Sequence, residues 1–157
     1  MEAIEIRNAV DGILAKAGVT FSVRLIGETK RDDWTCDEWR VKFGKWETSY
    51  YTGTGHRKPI KGAPADKGSP NTLFREQWER IYLRPHAPKA ADVLYSLVLD
   101  SSAGDASFQD WCADFGYSDD SLSALDTYRA CCAIATKLRA TFKPDVLAAI
   151  REAVQEL

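Results

Sequence analysis

Trp39-Arg40-Val41-Lys42-Phe43-Gly44-Lys45-Trp46-Glu47-Thr48-Ser49-Tyr50-Tyr51-Thr52 decides the fold. Trp39, Val41 and Phe43 alternate with Arg40 and Lys42, the period of a strand with one wet face. Gly44-Lys45 then separates Phe43 from Trp46. A two-residue link with glycine in its first central position suits a tight hairpin. Trp46 to Thr52 becomes the return strand. Upstream, Phe21, Val23 and Leu25 alternate with Ser22, Arg24 and Ile26, which adds a third strand. The expectation is a three-stranded antiparallel meander with one face under helices.

The rest of the chain reads as helix. Ile6, Val10, Ile13, Leu14 and Ala17 share a face over 2–17, and Gly18 supplies the stop. Pro88 opens a helix over 89–99, with Leu94, Leu97 and Val98 inward. Ser107 caps a helix that ends at Gly116. Ser118 or Asp120 is expected to cap the next, which runs to about Phe142. Pro144 and Asp145 start a last one. Asn71 to Tyr82 predicts a further helix, with Leu73, Phe74, Trp78 and Ile81 on its face. The fold class is therefore α+β, a meander packed against about five or six helices.

With 157 residues, one domain is expected. It divides into an N-terminal helix (1–18), the meander (19–52), a basic loop with an expected insertion (53–87) and a helical half (88–157). No stretch reaches the roughly 18–20 apolar residues of a membrane helix, and no basic segment followed by an apolar run opens the sequence. The expectation is a cytoplasmic chain in a bacterial host cell, without membrane contact. The four cysteines form no C-x-x-C pair, and neighbouring Cys131 and Cys132 point about 100° apart on a helix. No metal or other cofactor is expected.

The net charge of −2 hides a polarity. Arg40 to Lys89 holds eleven Lys/Arg against four Asp/Glu, whereas Asp100 to Tyr128 holds seven Asp and no other charged residue. Those seven are Asp100, Asp105, Asp110, Asp114, Asp119, Asp120 and Asp126. Displayed together they would mimic a row of phosphates and suit a basic groove on a partner protein. The bland alternative is a solvated, well-capped helix surface, or attraction between the two halves of the fold.

Other constellations are weaker. Gly53-Thr54-Gly55-His56-Arg57-Lys58 lets backbone N–H groups approach an anion, but it lacks both phosphate-loop and dinucleotide spacing. A strand-exit turn is the favoured explanation. His56 is the one candidate general base, with no nucleophile beside it in sequence. Asp114-Phe115-Gly116 matches the kinase metal tripeptide by letters only, because the accompanying motifs are missing. Asp119-Asp120 lacks the closing Glu of a calcium loop. The basic middle, with Arg40, Lys42, Arg57, Lys58 and Lys61 among Trp39, Trp46, Tyr50, Tyr51 and Trp78, suits single-stranded nucleic acid.

Three stretches together resemble a family of small phage and prophage proteins. They are Tyr50-Tyr51-Thr52-Gly53-Thr54-Gly55-His56-Arg57, Ala91-Asp92-Val93-Leu94-Tyr95-Ser96-Leu97, and Ser107 to Tyr117 continuing through Asp120-Ser121 to Tyr128-Arg129-Ala130-Cys131. The resemblance spans roughly 35–155. In that family the Gly-His loop joins the Val-Leu-Tyr helix almost directly, so 60–85 looks like an insertion here. The resemblance implies a mobile-element origin and an early, non-structural role, but no reaction. By context it points to a non-enzymatic accessory protein that binds a host protein, such as an inhibitor of a nucleic-acid-binding defence complex of the anti-CRISPR kind. The alternative is a nucleic-acid-binding protein of phage replication or recombination.

Overall fold

A computed structural model describes residues 1–31, 34–55 and 87–157. Helix α1 (Ala3–Ala17) buries Ile6, Val10 and Leu14, spaced four apart on one face. The Glu2 backbone N–H donates to the Glu5 carboxylate at 2.8 Å. Gly18 closes the helix in the left-handed region at φ 69°, and its N–H reaches the Ala15 carbonyl.

Strands β1 (Phe21–Arg31), β2 (Trp34–Phe43) and β3 (Trp46–Gly55) form one antiparallel sheet in that order. The β2–β3 register sets Phe43 against Trp46. Gly44 has φ 59° and no described non-glycine residue has positive φ, so Lys45 keeps the ordinary sign and the turn is of the II′ kind. The strands run further than alternation alone predicts. β1 continues to Arg31 and β2 begins at Trp34, because the ladder pairs Gly27 through Arg31 with Glu38 through Trp34. Backbone pairing there outweighs a polar composition. β3 likewise carries Gly53 and Gly55, expected in the loop, as partners of Cys36 and Trp34. Between Leu25 and Gly27 the register shifts by one, leaving Ile26 as the extra residue of a bulge.

One sheet face is inside. Val41, Phe43, Tyr50 and Thr52 are buried, with Phe21, Val23, Trp39 and Trp46 packed beside them. The indole N–H of Trp39 donates to the Thr52 hydroxyl at 2.6 Å, so neither polar group is stranded.

The helices that cover this face are α2 (Ala90–Asp100), α4 (Leu122–Thr141) and α5 (Pro144–Val154), together with α1. α2 is central and buries residues on nearly every side, including Ala91, Val93, Leu94 and Leu97. It starts at Ala90 with Lys89 as its cap, so Pro88 lies just before the helix rather than in its first turn. Buried Asp92 is held twice: it accepts from the Arg7 guanidinium at 3.2 Å and from the Lys89 backbone N–H at 3.1 Å. α5 carries Pro144 at its start and lays Leu147, Ile150 and Val154 into the same core as Val10 and Leu14.

A second cluster forms beyond α2. The 3-10 turn Ser101–Asp105 leads into α3 (Phe108–Phe115), which Ser107 caps by accepting from the Asp110 N–H at 3.2 Å. Gly116 ends α3 at φ 74°. Trp111 is the centre, stacked on Tyr117 at 4.9 Å between ring centroids and edged by Phe115 and Tyr128. α4 is capped by Ser121, whose hydroxyl accepts from Ala124 N–H. Ser118 and Asp120, the expected caps, hydrogen-bond to each other instead. Local bonding between two polar residues in the turn has displaced them from the helix end. At Gly104 the 3-10 turn approaches α4 so closely that an added Cβ would lie 2.8 Å from the Ala135 Cβ.

The α+β architecture is as expected: a three-stranded meander with five α-helices among the described residues and an all-helical C-terminal half. The predicted helix over 71–82, the 60–85 insertion, and His56, Arg57, Lys58, Lys61 and Trp78 lie outside the described residues.

Candidate functional site

The acidic set is mostly at the surface, with one exception. Asp105, Asp110, Asp114, Asp119, Asp120 and Asp126 are exposed. They follow one another along the 3-10 turn, α3, the link to α4 and the second turn of α4. Asp110 and Asp114 lie four apart and so on one side of α3. Asp105 faces Arg139 of α4 at 3.7 Å, a pair exposed enough to contribute little. Among the described residues none of the six pairs with a cation from the 40–89 stretch.

Asp100 must be taken out of the surface set. It is 1% exposed, at the point where α2 turns into the 3-10 helix. Both carboxyl oxygens are buried without a hydrogen-bond partner among the described residues. Loss of water pushes its pKa well above the usual carboxylate range. Cys131, buried on α4, sits near enough for the two groups to interact. Its thiol is pushed far up, first by burial and then by Asp100 and Cys132. Burial, and secondarily Asp119, also raises Cys112. Both thiols are accordingly poor sources of thiolate. Four free cysteines are present, and no disulfide links them.

The kinase-like tripeptide dissolves into structure. Asp114 is exposed, Phe115 packs on Trp111, and Gly116 is the left-handed stop of α3. Among the described residues no three His, Cys, Asp or Glu side chains converge in a way that could hold a metal ion. No described helix is long and apolar enough to cross a membrane.

The basic set resolves into two parts. Trp39, Trp46 and Tyr50 belong to the inner sheet face and are not open stacking platforms. Arg40 and Lys42 point the other way, onto the outer face. Register places Arg24 of β1 directly opposite Arg40 and Ser22 opposite Lys42. Like charges facing across strands destabilise a sheet by roughly 0.2–1 kcal/mol. Among the described residues no carboxylate lies within ion-pair distance of Arg24, Arg40 or Lys42. Glu38, two residues along β2, accepts instead from the Ser49 and Tyr51 hydroxyls at 3.2 and 3.4 Å. Burial and Glu38 both push the Tyr51 phenol up, so it stays a donor. Arg24 was readable as an outward residue from its alternation, but only the register identifies Arg40 as its neighbour.

Comparison with protein-family models, with curated proteins and with solved structures found no match to the chain.

Proposed function

We propose that this chain is a non-enzymatic accessory protein of phage origin that binds a host protein through its acidic surface. The observation that carries the reading is the run of six exposed aspartates from Asp105 to Asp126, which no cation of the 40–89 stretch neutralises among the described residues. A rigid helical frame, set by the Trp111 cluster, presents them. Such a surface fits a cationic groove, steers its owner by long-range attraction and weakens with salt. A nucleic-acid-binding defence complex has a groove of that charge, so an anti-defence inhibitor of the anti-CRISPR kind is the specific form of the proposal.

The test uses a variant carrying Asp110→Asn, Asp114→Asn, Asp119→Asn and Asp126→Asn. Bacteria with an active CRISPR system would express either chain and be challenged with a targeted phage. Plaques should appear with the native chain and fail with the variant. Purified chain should also retain a host protein at low salt that the variant does not retain. Intact interference in both strains, with no partner distinguishing the two chains, would sink the proposal.

A further inference from the structure

We propose that the outer face of the sheet binds the phosphodiester backbone of a single-stranded nucleic acid through Arg24, Arg40 and Lys42. This goes beyond the acidic surface, which lies on other elements of the fold. Three cations stand on adjacent strands of one face. Arg24 and Arg40 are direct register partners, and Lys42 follows Arg40 on the same side of β2, about 7 Å further along. That arrangement follows an extended chain of anions rather than a single ion. Among the described residues Arg24 and Arg40 make no ion pair: Glu38 is occupied by two hydroxyls, and Glu47 stands opposite Lys42 in the register without an ion pair to it. A bound chain of phosphates would relieve the repulsion between the two arginines and use their fork-shaped donors.

The shape of the face selects the ligand class. A three-stranded sheet face is too broad to enter a duplex groove, whereas a flexible single strand can lie across it. Tyr51 lies on this face, two strands from Arg24, with its hydroxyl tied to Glu38. With Trp39 and Trp46 turned inward, base stacking is limited and phosphate contact dominates. Binding should therefore be tolerant of sequence and steep in salt.

Fluorescence anisotropy of a labelled oligothymidylate of about twenty nucleotides tests this with the full chain at low salt. Binding in the micromolar range is expected. The Arg24→Ala/Arg40→Ala variant should bind about tenfold more weakly, and its slope of log affinity against log salt should fall by about 0.7 for each arginine removed. The Asp110→Asn/Asp114→Asn variant should bind at least as well as the native chain. Circular dichroism would verify that each variant is folded. No anisotropy change by tens of micromolar would overturn the proposal, as would an arginine variant with native affinity and slope. A polyglutamate chain that binds as tightly as the oligonucleotide would instead assign the face to acidic proteins and overturn the nucleic-acid reading.

Discussion

Asp100→Asn should make this protein less sensitive to pH and more stable near neutrality. The side chains are nearly isosteric, so the substitution opens no cavity. Its effect comes from a proton. In the unfolded chain Asp100 titrates near the ordinary aspartate value, about 3.9. In the fold, burial without a partner for either oxygen raises its pKa well above that. Between the two values the native state holds a proton that the unfolded state has released. Stability must then fall as pH rises, by up to about 1.4 kcal/mol per pH unit for one such group. The loss levels off once pH passes the raised native value. Below about pH 4 both states are protonated and the effect is absent.

The asparagine variant has no such proton. Its urea-unfolding free energy, measured from about pH 4 to about pH 7, should lack this downward component, and the gap between the two proteins should widen with pH. Every other titrating group is common to both chains, so the difference profile isolates Asp100. Parallel profiles would refute the reasoning. They would mean that the carboxyl finds water or a donor in solution, and that α2 and α4 are looser there than their contact around Cys131 implies.

Further expectations concern packing and thiols. Gly104→Ala places a methyl 2.8 Å from the Ala135 Cβ and should cost about 1–3 kcal/mol in thermal or urea unfolding, with Ala135→Gly restoring much of it. Arg7→Met removes the guanidinium that pairs with buried Asp92; since Arg7 is 29% exposed, the loss should lie near the low end for a broken buried pair, about 3 kcal/mol in urea melts. Timed alkylation followed by intact-mass measurement should modify Cys36 and Cys132 before Cys112 and Cys131, whose burial raises their pKa. The rates should climb with pH as thiolate forms.

The hairpin from Trp39 to Thr52 was legible because its alternation, its turn glycine and its aromatic anchors agree with one another. The first hairpin was not. Gly27 to Asp33 is polar and has no period, so nothing local announces that β1 and β2 stay paired to Arg31 and Trp34. The bulge at Ile26 hid the continuation further, because it breaks the alternation that Phe21 and Val23 begin. Among the seven aspartates, charge alone cannot separate Asp100 from its exposed neighbours. Its spacing could have: Asp100 follows Leu94 and Leu97 at steps of three, on the stripe of α2 that faces inward. The Arg24–Arg40 juxtaposition depends on strand register, which no single stretch contains.

The packing of α1 on α5 has a consequence for the order of events during synthesis. Val10 and Leu14 share their core with Ile150 and Val154. During synthesis α1 therefore emerges well before α5, and the part of its apolar face that α5 covers stays open until then. Until then α1, the sheet and α2 can associate only as a partial assembly with exposed leucine and valine side chains, the kind of surface that chaperones hold. A translational pause or premature stop before Pro144 should leave a chain with most of its secondary structure encoded but its core unsealed. The cell would meet that product as a degradation substrate rather than as a slightly shortened protein.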